Sequence, residues 1–219
     1  MDRLEKMDDF FAARVDGYDD HMRTHIEGSS RFYAYTASLL PKDPDSRVLD
    51  LGCGTGLELE AYFAINPGAG VTGIDLSAEM LNALKAKFPG KHLTLIRASY
   101  FEAPLGEKLY DAAVSVESLH HFPAELKASL YKKLRAALKE NGVFVLTDYF
   151  AESEALEKEY FRNLAALKRE QGLSDDTFYH YDTPLLVDHE TDILRRAGFR
   201  DVRIMKQWGK STFTVLGTA

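Results

Sequence analysis

A single cysteine, Cys53, in a chain of 219 residues rules out an intramolecular disulfide and any metal cluster built on several thiolates. The expected setting is reduced and cytoplasmic. No apolar run approaches the roughly 18 residues of a membrane span. The start, with Asp2, Glu5, Asp8 and Asp9, lacks the apolar stretch of a signal peptide. Positive charge is also scarce. Lys and Arg number 27 against 34 Asp and Glu, a formal net charge of −7, which argues against nucleic acid, because affinity for phosphates comes largely from Lys and Arg. Neither a repeat nor a low-complexity segment is present. What remains is an ordinary globular composition, 45% apolar and 28% charged, long enough for one well-buried core.

Short apolar runs alternate with longer amphipathic segments. After a charged helical start, the pattern predicts a helix from Ser30 to Leu40, closed by Pro41, and a strand from Arg47 to Leu51. Helix Leu57 to Ile65, strand Gly70 to Ile74, helix Ala78 to Phe88 and strand Leu93 to Arg97 follow, then strand Tyr110 to Val116, helix Ala124 to Lys139 and strand Gly142 to Thr147. Such alternation implies a parallel sheet with helices on both faces. The rhythm then changes. Helices are expected at Glu152 to Glu170 and Asp188 to Ala197, and two strands, Arg200 to Trp208 and Thr212 to Leu216, meet at a tight turn around Gly209. A tight turn makes that pair antiparallel, so the expected sheet is mixed.

The stretch "VLDLGCGTG", Val48 to Gly56, puts Gly52, Gly54 and Gly56 directly after the first strand. Glycines there let the backbone turn sharply and let a ligand lie against it, at the edge where open parallel sheets bind ligands. The dinucleotide pattern G-x-G-x-x-G fails at Leu57, and no P-loop pattern occurs. The next strand ends in "GIDLS", which places Asp75 about twenty residues further on, where a carboxylate can accept from both ribose hydroxyls. The two features together point to a nucleoside ligand without a pyrophosphate.

On these motifs, with "DAAVSVESLHHF" and "LKENGVFVLTDY", the sequence resembles the class I S-adenosylmethionine-dependent methyltransferases. The resemblance covers roughly residues 30 to 150 and the terminal hairpin. It implies a Rossmann-like, doubly wound α/β fold with a seven-stranded, mostly parallel sheet. It also implies S-adenosylmethionine as cofactor, S-adenosylhomocysteine as product and a small-molecule acceptor. Gly52, Gly54 and Gly56 would pass beneath the methionine part and ribose, Asp50 would help fix the amino group and Asp75 would hold the ribose. The family usually has an acid at the third strand end, facing the adenine amino group. Here "RASYF" supplies Ser99, a neutral acceptor, with the backbone around Tyr100 beside it. Met80 is placed on the adenine face, Glu117 near the reacting end and Tyr18 against the sulfonium as a cation-π partner. The resemblance leaves the acceptor unspecified.

Methyl transfer from a sulfonium needs chiefly positioning, with a base only when the acceptor carries a proton. His120 and Asp148, on the carboxyl edge of the fourth and fifth strands, are the expected catalytic pair, and His121 is expected to order its loop. "FYHYDTP", Phe178 to Pro184, and the N-terminal "GYDDHM" are expected to form a lid over the acceptor. The organisation expected is therefore a single methyltransferase domain over 1–219, with a helical cap over about 1–40 and an inserted lid over about 150–190, as a monomer or homodimer. No metal site is expected. His21 and His25 share a helix face, and His180, Asp182, His189 and Glu190 form a loose cluster, but there is neither H-E-x-x-H nor a cysteine partner. Two other readings stand beside the enzyme: a non-catalytic protein that binds or senses S-adenosylmethionine, and a nicotinamide dehydrogenase, which Leu57 disfavours.

Overall fold

The computed structural model describes residues 3–219; Met1 and Asp2 lie outside the described residues. Seven strands form one sheet in the order β3-β2-β1-β4-β5-β7-β6. They are β1 (Arg47–Leu51), β2 (Gly70–Asp75), β3 (His92–Arg97), β4 (Tyr110–Val116), β5 (Leu138–Tyr149), β6 (Arg200–Trp208) and β7 (Thr212–Thr218). The first five run parallel, and β7 enters antiparallel between β5 and β6. This is the doubly wound sheet with an antiparallel terminal hairpin expected from the alternating pattern.

Both faces of the sheet are covered, so its central strands carry apolar side chains on both sides. Leu49 and Leu51 of β1 pack with Leu134, Phe144 and Phe199 on one face; Val48 packs with Phe32, Tyr62 and Val145 on the other. The helices between strands are α4 (Leu57–Ile65), α5 (Ala78–Lys87) and α6 (Ala124–Ala137). Ahead of the sheet come α1 (Met7–Ala12), α2 (Val15–His25) and α3 (Ser29–Ser38), and α7 (Glu154–Gln171) and α8 (Val187–Arg196) separate β5 from the hairpin.

Several boundaries shift by one or two residues, and the largest difference from expectation lies between α6 and β5. Helix α6 stops at Ala137, and β5 begins at Leu138 instead of Gly142. Leu138 is buried and pairs with Tyr110 before the register shifts, and Lys139 Nζ donates to Asp111 on the neighbouring strand at 2.7 Å. Tertiary pairing has overridden the helical propensity of that short stretch.

The chain switches sides of the sheet between β1 and β4. The carboxyl ends of those strands therefore open a crevice there, the usual place for a ligand in such sheets. The N-terminal helices and the Phe178–Tyr181 segment roof that crevice together. Met7 N donates to Phe178 O at 3.0 Å, His180 N to Glu5 O at 2.9 Å, and the Phe10 and His180 rings stack at 3.5 Å.

Candidate active site

The loop after β1 takes left-handed backbone at Gly52 (φ 72°) and Gly54 (φ 47°), a region that side-chain-bearing residues rarely occupy. Gly52 N and Cys53 N both donate to Ile74 O, at 2.9 and 3.2 Å. Gly54 N donates to Asp75 Oδ2 at 2.9 Å, while Asp75 Oδ1 accepts from Ser77 N at 2.8 Å. Asp75 thus ties the glycine loop to the start of α5, whose first turn Ser77 caps through Met80 N. Burial raises the Asp75 carboxyl above its ordinary range, against the bonds from Ser77 and Gly54.

A narrow cleft of about 50 Å³ lies over this loop. Tyr18, Gly52, Gly54, Asp75, Met80, Tyr100 and Glu117 all line it, so most of the residues singled out from sequence do converge. Met7 and Phe11 also face it and belong to the roof.

Asp50, Gly56 and Ser99 are not among its lining residues. Asp50 lies beneath the loop, 1% exposed, with Oδ2 unpartnered among the described residues. Burial and the adjacent Glu58 raise its pKa well above the usual range. Glu58, itself buried with an unpartnered Oε1, was missed by the sequence reading; its signal is an acid set among the apolar residues of "LELEAYF". Gly56 N donates back to Cys53 O at 2.8 Å. Ser99 forms a turn, with its hydroxyl accepting from Phe101 N at 3.3 Å.

A much larger cavity, about 810 Å³, adjoins the cleft. Phe11, Tyr18, Glu117 and His121 line both spaces. The cavity is also walled by His120, Tyr149, His180, Asp182 and Trp208, so the two segments expected to form a lid do meet over one space.

His120 and His121 sit in a single 3-10 turn after β4, Leu119–His121. Asp148, at the end of β5, accepts from His120 Nδ1 at 2.6 Å and, through its other oxygen, from Leu119 N at 2.9 Å. On the other side Asp182 Oδ1 stands 3.5 Å from His120 Nε2 and 3.3 Å from His121 Nδ1. Burial alone would lower the His120 imidazole, but Asp148 and Asp182 outweigh it and hold its pKa well above 6.5. His121 moves the other way, lowered by burial and by His120. Burial, with Asp148 and Asp182, pushes Glu117 up to about 8 against the pull of His120, and its Oε1 is buried without a partner among the described residues. His121 was expected to order its loop; its ring faces both the cleft and the cavity, and its Nδ1 lies 3.2 Å from Tyr181 O.

The loose cluster read from sequence is split. Glu190 is buried against Lys127 and Tyr131, and His189 pairs with Glu157. His21 and His25 do share a helix face, with their rings 4.8 Å apart.

A doubly wound sheet with a glycine loop and an acid at its switch point suits a nucleoside-type ligand, and comparison with known proteins makes the reading more specific. Residues 48–142 match the family of methyltransferase domains. The carboxy-S-adenosyl-L-methionine synthase of Campylobacter concisus is 28% identical over 215 residues, covering 93% of this chain and 90% of that protein. An uncharacterised methyltransferase of Synechocystis is 32% identical over 125 residues, 57% of each chain. The crystal structure of human N-acetylserotonin methyltransferase in complex with S-adenosylmethionine superposes with a TM-score of 0.61 at 19% identity, covering 95% of this chain and 54% of the human one. The chain therefore spans little more than half the length of that human structure. Residues 48–142 and these likenesses support a class I S-adenosylmethionine-dependent methyltransferase, an enzyme that uses this cofactor. No helix among the described residues is long and apolar enough to cross a membrane.

Proposed function

We propose that the protein moves the methyl group of S-adenosylmethionine to a small-molecule acceptor held in the 810 Å³ cavity, leaving S-adenosylhomocysteine. One observation carries this reading: Phe11, Tyr18, Glu117 and His121 form a wall common to the cofactor cleft and the cavity, so a donor on one side can meet an acceptor on the other. Bound cofactor supplies an activated methyl on a sulfonium. The chain's own task is to hold the acceptor in line behind that methyl and to exclude water, and such positioning is worth roughly 7–11 kcal/mol of barrier.

In this reading residues 1–219 act as one methyltransferase domain, with 1–40 as cap and 150–190 as lid, in a cytoplasmic setting. Gly52 and Gly54 underlie the methionine part and ribose, and Asp50 helps fix the amino group. Asp75 accepts from the ribose hydroxyls, Met80 packs on the adenine and Tyr18 faces the sulfonium. Met7, Phe11 and Tyr18 lift to widen the cleft as cofactor enters. His120, oriented by Asp148, contacts the acceptor.

The direct test is turnover. Incubation with methyl-labelled cofactor and cell metabolites is expected to yield S-adenosylhomocysteine and a labelled small molecule. Binding without turnover across that mixture would instead make the protein a sensor, and a melting shift with NAD alone would overturn the cofactor assignment. The full-length likeness to carboxy-S-adenosyl-L-methionine synthase supports a second reading, in which the cofactor itself is modified. Mass spectrometry of the recovered cofactor separates the two, because only the second leaves a carboxylated S-adenosylmethionine.

The ribose placement has its own test. Loss of a hydrogen bond to a charged group costs about 1.5–3 kcal/mol, or roughly 10- to 100-fold in affinity. Asp75 also fixes Gly54 N, so Asp75→Ala is expected to weaken S-adenosylhomocysteine binding by more than tenfold. Ser99, a neutral side chain set back from the cleft, should matter less: Ser99→Ala weakens binding severalfold at most, and Ser99→Asp leaves it unchanged or tighter. Calorimetric titration of the three variants decides, and a larger loss in Ser99→Ala than in Asp75→Ala would invert the placement.

A further inference from the structure

Asp182 Oδ1 faces two imidazole nitrogens at once, His121 Nδ1 at 3.3 Å and His120 Nε2 at 3.5 Å. Both separations are longer than the roughly 2.7–2.9 Å of a hydrogen bond between charged groups. They match the edge of a tetrahedron, since with metal–ligand bonds of about 2.1 Å neighbouring ligand atoms lie about 3.4 Å apart; a metal there would replace Tyr181 O, which lies 3.2 Å from His121 Nδ1, as the partner of that nitrogen. Donor atoms of His120, His121 and Asp182 all fall within 4.8 Å of one another.

The surroundings fit the same reading. Asp148 accepts from His120 Nδ1 at 2.6 Å, so a metal that displaces the Nε2 proton meets a lone pair directed towards Asp182. A histidine ligand ordinarily donates its second ring N–H to a carboxylate in this way. Asp148 is itself held by Leu119 N at 2.9 Å, and Thr183 N donates to His120 O at 2.9 Å, so both arms of the cluster are fixed by backbone. All three residues line the 810 Å³ cavity.

From this geometry we infer that His120, His121 and Asp182 form a site for a borderline divalent metal of the zinc type, with its remaining coordination position open to the acceptor cavity. Two imidazoles and one carboxylate with a free position are a donor set such ions accept. The site lies beside the wall shared with the cofactor cleft. An acceptor hydroxyl or thiol that coordinates there loses its proton to water more readily.

The test is zinc binding by the full chain after chelator treatment, read by calorimetry without cofactor or acceptor. Its failure therefore leaves the methyl-transfer reading standing. One zinc per chain is expected, bound at least tenfold more weakly by Asp182→Asn and by His121→Ala. Asp148→Asn is expected to weaken it by roughly 10- to 100-fold through loss of orientation at His120. Changing His21 and His25 together to Gln removes the other neighbouring histidine pair and should leave zinc binding intact. Asp182 is half-exposed, so its variant is expected to fold, which an unchanged melting temperature of the metal-free protein verifies. Absence of zinc binding, or binding that survives Asp182→Asn and disappears with the His21 and His25 changes, overturns the site.

Discussion

Gly54→Val is expected to abolish S-adenosylmethionine binding at millimolar ligand while the ligand-free protein keeps its fold. A Cβ added at Gly54 meets only Tyr18 Cε1, at 3.9 Å, so the protein itself has room for it. The cost that this placement shows lies in the left-handed backbone, φ 47°, a penalty on the order of 1–3 kcal/mol. The branched side chain would stand in the cleft where the cofactor must lie. The neighbouring glycines behave differently. A Cβ on Gly52 would strike Ser118 Oγ, and one on Gly56 would lie 3.0 Å from Phe88 and 3.2 Å from Leu84, so substitutions there damage packing as well as binding. Thermal unfolding with and without cofactor distinguishes the cases, because a ligand that binds only the native state stabilises it by about 2.7 kcal/mol at a hundredfold excess over Kd. A Gly54→Val protein that still shows the parent's shift would remove the loop from the cofactor site.

Glu190→Ala is expected to destabilise the protein by about 3–5 kcal/mol, the usual consequence of breaking a buried ion pair from one side. Lys127 Nζ on α6 donates to Glu190 Oε2 on α8 at 2.6 Å, with side chains 2% and 0% exposed. Tyr131 OH donates to the other oxygen. Removing the carboxylate leaves an ammonium and a hydroxyl sealed from water without an acceptor. The paired change Lys127→Met with Glu190→Leu removes both charges and is expected to be near neutral or stabilising. Urea unfolding of the single and double variants measures the difference. A loss below about 1 kcal/mol in Glu190→Ala would mean that water reaches Lys127.

The sheet was legible because its signals are local. Each parallel strand is a short apolar run, each helix carries its own period, and the glycine loop and Asp75 lie within one strand–loop–strand stretch. The boundary between α6 and β5 was not legible, since the pairing of Leu138 with Tyr110 is a contact across the sheet. The histidine cluster was hidden for the same reason at longer range. Asp182 reaches His120 and His121 only because the segment after α7 folds back over the carboxyl end of β4. Sequence proximity misled at His189 and Glu190: adjacent residues on a helix point in different directions, and one turns outward to Glu157 while the other turns into the core. Ser99 sits at the predicted strand end, but a turn, Glu102 N and Ala103 N to Ser99 O at 3.0 and 2.8 Å, carries it away from the cleft.

The hydrogen bonds between the N-terminal segment and the residues after α7 carry a consequence for synthesis. Leu4 N donates to the Gln171 side chain across 167 positions of sequence, and Met7 and Glu5 meet Phe178 and His180. A chain emerging from the ribosome at about 5–20 residues per second completes its glycine loop long before those partners exist. Closing so long a loop costs entropy that grows only with the logarithm of its length, and the sheet has met most of that cost by the time the hairpin pairs. The N-terminal segment therefore finds its place only after residues 171–180, its partners across the fold, have been made.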